Sequence, residues 1–322
     1  MDAEFFNKRF VIVSGKGGVG KSTVCAALGL AAAKRGLRTI IAELDTREKI
    51  PLLFDKDPGG YRVQPIRENL FSINIQPDPA LREYGIMKLR YERVYKMVFE
   101  NEAMKKLLKV IPGMKELFLL GKAFNMEREL TRDGNPVWDM VIVDAPATGH
   151  GVSLLRLPQV VLEVMQSGPM ADEVRLMQDL LEDPSRTLIN LITLPEEMPV
   201  REALELQSQI DNILRIPKGF LIVNQVWPDI LPESDLTALD SLRGEKSTDR
   251  ALQEALGCYD LFRRRRTLQN DYLQELEDRL PMPTIHLPYL FEGEFGGRQI
   301  EVLSDFLCDE RNHRIPLKTS GH

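Results

Sequence analysis

The chain has 322 residues, 43% of them apolar and 28% charged, which is enough aliphatic material for a sizeable core and leaves disorder expected only at the ends. A net charge of −6 argues against a mainly electrostatic partnership with DNA or an anionic membrane, because either needs a basic surface. Cys25, Cys258 and Cys308 form no C-x-x-C pair and read as structural thiols, so neither a disulfide framework nor zinc is expected.

The start, Met1-Asp2-Ala3-Glu4, is acidic where an export signal carries positive charge, and a cytoplasmic protein is expected. Phe10 to Val13 then reads as a buried strand, Gly15 to Gly20 as a glycine-rich turn and Ser22 to Ala33 as a helix. In that setting Gly15-Lys16-Gly17-Gly18-Val19-Gly20-Lys21-Ser22 is a phosphate-binding loop. Its glycines let the backbone approach an anion and aim the N–H groups of Gly17, Gly18, Val19 and Gly20 at it, beside the positive end of a helix dipole. Lys21 is expected to reach the β- and γ-phosphates of ATP, Ser22 to ligate Mg²⁺ and Thr23 to contact the α-phosphate. The apolar run from Val24 to Ala33 is about half of the roughly 20 residues that a membrane span needs, so it reads as a buried helix and no direct membrane insertion is expected.

Further short β-branched runs follow at Leu37 to Ala42, Leu70 to Ile75, Asp139 to Val143, Thr187 to Thr193, Gly219 to Val223 and Pro283 to Leu287. Helical stretches between several of them predict an α/β fold with a doubly wound, mostly parallel sheet, the class of P-loop NTPases, with its chemistry at the strands' carboxyl ends. Two intervals, from about Ala80 to Leu130 and from about Gly151 to Asp183, are too long to be simple crossovers. Pro112-Gly113 and Gly168-Pro169 divide them into helix pairs, which predicts a helical subdomain inserted on one side of the sheet. With no Ser/Gly-rich linker in the chain, residues 1–322 read as a single domain.

Asp144 ends the strand Asp139 to Val143 and precedes Ala145-Pro146-Ala147-Thr148-Gly149-His150. A carboxylate there holds Mg²⁺ through a water, Gly149 leaves room for a backbone N–H at the γ-phosphate, and His150 reads as a hinge rather than a base. Asp45 follows its own strand by way of Glu43-Leu44, where it can orient the attacking water. Glu43 competes for that role, because period-two alternation points both carboxylates to the same side.

Lys16 is not required by a standard phosphate loop. It resembles the signature lysine of a class that holds the Min-type and Par-type positioning ATPases, the nitrogenase iron protein and the arsenite-pump ATPases. With Asp45 and Asp144-Ala145-Pro146-Ala147-Thr148-Gly149-His150, the chain resembles the ArsA-type family: arsenite-pump ATPases and targeting factors for tail-anchored membrane proteins. The resemblance implies a homodimer in which Lys16 reaches the partner's nucleotide. It also makes Val223-Asn224-Gln225 similar to the family's adenine-contacting asparagine, and Leu287-Pro288-Tyr289-Leu290 similar to the segment over the base, so Asn224, Pro288 and Leu290 are expected at the adenine. Asp45-Thr46-Arg47-Glu48-Lys49-Ile50 departs from the family's usual first switch, and the targeting factors' zinc pair is missing.

Methionines gather in the helical intervals, at Met87, Met97, Met104, Met114, Met126, Met165, Met170 and Met177. Flexible thioethers suit a groove for apolar helices, although any single one is better read as core. Arg263 to Arg266 is the one dense basic run, and acidic neighbours on the same expected helix, Thr248 to Leu280, make it a solvated face and not a nucleic-acid site. The functional expectation is an ATP-gated carrier or regulator of a hydrophobic protein segment, with a client or membrane-protein partner. The alternative is the energising subunit of an arsenite or other anion exporter, which the absence of a soft thiolate triad disfavours.

Overall fold

Strands that are apolar on both sides are stable only between two covering layers. The computed structural model, which describes residues 1, 3–89, 113–146, 150–228 and 250–314, has that arrangement. In chain order the first half contains α1 (Ala3–Phe6), β1 (Phe10–Gly15), α2 (Lys21–Lys34), β2 (Thr39–Leu44), α3 (Ile50–Leu53), β3 (Gln64–Arg67), β4 (Leu70–Ile75), α4 (Pro77–Leu89) and α5 (Met114–Arg128). The second half contains β5 (Met140–Asp144), α6 (His150–Val164), α7 (Pro169–Glu182), β6 (Thr187–Thr193), α8 (Glu197–Gln209), β7 (Lys218–Val226), α9 (Arg250–Arg279), β8 (Thr284–Pro288), α10 (Gly297–Cys308) and β9 (His313–Arg314).

Among the described residues these strands form one sheet in the order β3-β4-β2-β5-β1-β6-β7-β8-β9. Neighbours from β4 to β8 are parallel, and only the edge pairs β3 with β4 and β8 with β9 are antiparallel. All seven expected strands are present within a few residues of their expected limits. The two edge strands were not expected: β3 contains Pro65, which a strand tolerates only at an edge, and β9 is two residues long. β1 lies at the centre, and the chain leaves it toward β2 on one side and reaches β6 on the other. The resulting crevice opens at the carboxyl ends of β1, β2 and β5.

Alternation along the strands sorts the core into two faces. Phe10, Ile12, Ile40, Ala42, Val141 and Val143 pack against α5, α6, α7, α8 and α9, whereas Val11, Val13, Ile41 and Ile142 pack against α2 and α10. In the two long intervals α4 packs against α5 and α6 against α7. Leu117, Leu120, Ala123 and Phe124 of α5 join the same cluster as the strands, so this helical layer is continuous with the central core. Residues 90–112, which include Met97, Met104 and Pro112, lie outside the described residues. Arg263 and Arg264 are exposed on α9 and Arg265 pairs with Glu196, in keeping with a solvated face. No helix among the described residues is long and apolar enough to cross a membrane.

At the opposite edge from the crevice, Glu127 of α5 is 1% exposed and accepts hydrogen bonds from Arg9 (Nε, 2.9 Å) and Arg186 (Nε, 3.2 Å), joining the starts of β1 and β6 to the helical layer. Removing the carboxylate leaves two guanidinium groups without their shared anion. Glu127→Ala should therefore lose about 3 kcal/mol of unfolding free energy in denaturant titration. A loss below about 1 kcal/mol would mean that solvent already screens the network.

Candidate functional site

The phosphate-binding motif occupies the turn between β1 and α2. Two of its glycines are required by sterics. A Cβ on Gly15 would lie 2.2 Å from the carbonyl oxygen of Ile192 in β6, and one on Gly20, at φ 92°, would lie 2.4 Å from the amide nitrogen of Asn224. Lys21 folds back over the turn and donates to the carbonyls of Gly15 (3.0 Å) and Lys16 (2.9 Å). Burial holds its ammonium pKa below the usual lysine value, against the pull of the Asp144 charge. Gly17 and Gly18 are exposed at the mouth of the turn, and Val19 is buried beneath it.

Under the turn, Ser22 donates to Asp144 Oδ2 at 2.6 Å, and both residues are buried. Burial raises the Asp144 pKa above the ordinary value, while the Ser22 hydroxyl and the Lys21 charge oppose the rise. Cys25, one helical turn further on, is fully buried, and its thiol is pushed well above its normal value by burial and by the Asp144 charge. A buried hydroxyl and a carboxylate meeting beside exposed backbone N–H groups are hard oxygen donors of the kind Mg²⁺ selects, so the residues present fit that ion.

Sequence alternation left Glu43 and Asp45 equivalent, and the structure separates them. Glu43 is 1% exposed, on the α2 side of β2, and its two oxygens accept the backbone N–H groups of Lys49 (2.7 Å) and Ile50 (3.3 Å). Asp45 lies just past the strand at φ 47°, a left-handed conformation that turns its side chain into solvent instead of continuing the alternation. Asn74 at the end of β4 donates to the Thr46 carbonyl (2.8 Å) and accepts the Thr46 N–H (3.4 Å).

On the other side of the turn, Gly20, Thr23, Asn224, Pro288 and Leu290 line one cavity of about 340 Å³, together with Gln225, Tyr289, Glu292, Phe295 and Leu303. Its rim is held by aromatic contacts that link Tyr289 and Phe291 to Trp227 and Phe262. Asn224 does more than line the cavity: its amide nitrogen donates to the Val19 carbonyl at 3.0 Å and braces the turn. Gly149, with Ala147 and Thr148, lies outside the described residues, and His150 begins α6.

Lys16 points to α8, where its ammonium lies 3.1 Å from Glu202, with both side chains about one-third exposed. The cysteines do not assemble. Because α10 packs on α2, Cys308 is nearer to Cys25 than their separation in sequence suggests, and both border one apolar cluster. Yet Cys308 contacts the Arg35 guanidinium at 3.0 Å, and that group also donates to the Ala31 carbonyl, so Cys308 sits toward the far end of α2 and not beside Cys25. Cys258 is exposed on α9. Among the described residues, no group of three or more His, Cys, Asp or Glu side chains could hold a metal ion.

Glu202 and Asn74 escaped sequence reasoning. Glu202 meets Lys16 only through the packing of α8 beside β1, for which no local pattern exists. Asn74 left a faint signal, a polar residue near the end of the otherwise apolar strand Leu70–Ile75.

The profile of the ArsA-type anion-transporting ATPases matches residues 8–170 and 166–309. ATPase BagA of Mycobacterium tuberculosis is 30% identical, over 94% of this chain and 93% of its own length. A putative arsenical pump-driving ATPase of Halobacterium salinarum is 25% identical over 94% of this chain and 44% of its own, longer sequence. Another, from Aquifex aeolicus, is 23% identical over 93% and 78%.

Burial raises the Glu43 carboxyl from 4.5 to about 7, with the Lys49 N–H opposing and the Asp144 charge reinforcing the rise. The folded chain therefore keeps a proton that the unfolded chain releases. The stabilisation is complete below the unfolded value and is lost as pH rises through the folded one. Glu43→Gln, measured by thermal melting without nucleotide and with a chelator, should flatten the decline in stability between about pH 5 and pH 8. Parallel melting profiles for the variant and the parent would show that this carboxyl does not carry the effect.

Proposed function

Because the chain belongs to the ArsA-type family of anion-transporting ATPases, we propose that it hydrolyses ATP as a homodimer, with residues 1–322 acting as one nucleotide-binding domain. The observation that carries this reading is the buried Ser22–Asp144 pair directly beneath the glycine turn, with Lys21 beside it. In this reading the N–H groups of Gly17 to Gly20 cradle the phosphates, Thr23 contacts the α-phosphate, and Lys21 leaves the carbonyls of Gly15 and Lys16 for the β- and γ-phosphates. A bound Mg²⁺ would offset phosphate charge, with Ser22 as a direct ligand and Asp144 holding it through water. Asp45 orients the attacking water, and Gly149 contributes its backbone N–H at the γ-phosphate. The adenine occupies the cavity beside Asn224, Pro288 and Leu290.

Lys16 supplies the second half of the site. An exposed ion pair such as Lys16–Glu202 is worth about 1 kcal/mol or less, so the lysine is readily released to reach across to a partner's nucleotide. There its charge offsets that of the transferring phosphoryl group, as an arginine finger does.

For the task that turnover drives, the reading is a nucleotide-gated carrier or regulator of a hydrophobic protein segment. Its support is a cavity of about 470 Å³ among α4, α5 and α7, lined by Met126, Met170 and Met177 with Tyr84 and Phe118. Met126 and Met177 are also core residues, so their thioethers serve packing as well. The names of two relatives, both named arsenical pump-driving ATPases, favour a second reading, an exporter's energising subunit. The dispersed thiols count against arsenite as the transported species.

Two experiments test these readings. Lys16→Ala and Asp45→Asn should each bind ATP and lose turnover, and mixing them under conditions of subunit exchange should restore up to about half of the parent activity per mixed dimer. In that mixed dimer one site has its own Asp45 and the partner's intact Lys16. A mixture that stays inactive despite proven exchange would remove the trans role of Lys16. Separately, arsenite or antimonite should leave steady-state turnover unchanged. Stimulation abolished by Cys-to-Ser replacement would restore the exporter reading.

A further inference from the structure

We propose that Glu43 and Asn74 are a pair of positioning residues that grip the loop carrying Asp45 and set its aim without themselves touching the nucleotide. The proposal rests on Asp45 as the water-orienting residue. Its basis is the register of three adjacent strands, in which Glu43 of β2 stands opposite Asn74 of β4 on one side and Asp144 of β5 on the other. Register partners in a parallel sheet face the same way, so all three side chains lie on the α2 side, at the carboxyl edge. Glu43 and Asn74 are 1% and 5% exposed.

Between them these two side chains account for both ends of the loop. Asn74 takes the N–H and the carbonyl of Thr46, directly after Asp45. Glu43 takes the N–H groups of Lys49 and Ile50, where the loop enters α3. The Asp45 N–H itself donates to the Ile75 carbonyl at 2.8 Å. Asp45 therefore sits in a left-handed conformation that a non-glycine residue keeps only when its surroundings fix it, and the fixing groups come from strands, not from the loop. Among the described residues the exposed Asp45 side chain has no hydrogen-bond partner, so its direction follows from the backbone beneath it. Glu43 cannot replace it at the water, because its oxygens are already turned toward Lys49 and Ile50 and are buried.

The test compares kcat, KM and the ATP dissociation constant for Glu43→Ala, Glu43→Gln and Asn74→Ala, alone and combined with Asp45→Asn. Glu43→Ala should lower kcat about a hundredfold, since a small displacement of a catalytic group is that costly, while ATP affinity changes less than about twofold. Asn74→Ala should lower kcat in the same way by about tenfold. Glu43→Gln should recover most of the loss, because its carboxamide oxygen still accepts the Lys49 N–H. In the Asp45→Asn background neither alanine variant should reduce the residual rate further, since both act through Asp45. Losses that multiply in that background overturn the proposal. So does Glu43→Gln as inactive as Asp45→Asn with ATP binding intact, which would make Glu43 itself the group at the water. Should Glu43→Ala fail to fold, Asn74→Ala and Glu43→Gln still decide between these outcomes. Near-parent turnover of Asp45→Asn would overturn the underlying assignment, and it is read on a separate protein.

Discussion

A carboxylate kept almost out of water is the constraint around which the site is built. Asp144 ends a central strand, is 5% exposed, and among the described residues accepts a hydrogen bond from the Ser22 hydroxyl, with the charges of Lys21 and Lys49 in its favour. An ionised group in such a place is tolerated only when neighbours supply hydrogen bonds and opposite charge. The glycine turn, the first residues of α2 and the ends of β1 and β2 are all arranged so that they do. The neighbouring carboxyl, Glu43 in the adjacent strand, meets two backbone N–H groups instead of a cation, and burial raises its pKa to about 7, which eases the like-charge contact. Polar groups that are left incompletely compensated in the resting chain are those for which a cation and a phosphate would be the natural complement.

The sheet divides fixed from movable parts. Among the described residues the groups anchored at strand ends are held by buried side chains: Asn224 to Val19, Asn74 to Thr46, Glu43 to Lys49, Ser22 to Asp144. By contrast, Lys16 is held by one partly exposed ion pair, and Lys21 by two carbonyls of its own loop. Buried bonds are expensive to leave unmade, and exposed ones exchange readily with water. Lys16, which must relocate in the proposed cycle, is thus the group with the cheapest resting contact, whereas the Asp144 and Glu43 carboxylates are embedded.

Legibility in the sequence followed the same division. Seven strands could be read because a parallel sheet demands unbroken apolar runs, and the phosphate loop because its glycines answer steric demands that no other residue meets, as at Gly15 and Gly20. Edge strands were not legible: β3 is four residues long, contains Pro65 and buries only Ile66, so its pattern resembles a loop. Nor could alternation separate Glu43 from Asp45, since it assumes a strand that continues. The left-handed turn at Asp45 breaks that assumption through contacts with Asn74 and Ile75, which lie some thirty residues away in the chain. Long-range meetings such as Lys16 with Glu202, and the approach of α10 to α2 that brings Cys308 toward Cys25, leave no local trace.

Asn224 joins the base side of the proposed site to its phosphate side. An asparagine amide offers two donors and an oxygen with two lone pairs. One donor is committed to the Val19 carbonyl, and the oxygen accepts the Gln225 N–H at 2.9 Å, which leaves one donor and one acceptor position for the cavity that Asn224 lines with Pro288 and Leu290. Bracing the turn and meeting a base are therefore compatible duties of one side chain. They are also coupled: a ligand that pulls on the free half of the amide acts on the half that holds Val19, and the close fit of the amide against Gly20 allows it little room to yield. A ligand in the cavity would then bear on the turn that carries Lys16, Gly17 and Gly18, and in the proposed cycle base and phosphates would be linked through this one buried amide.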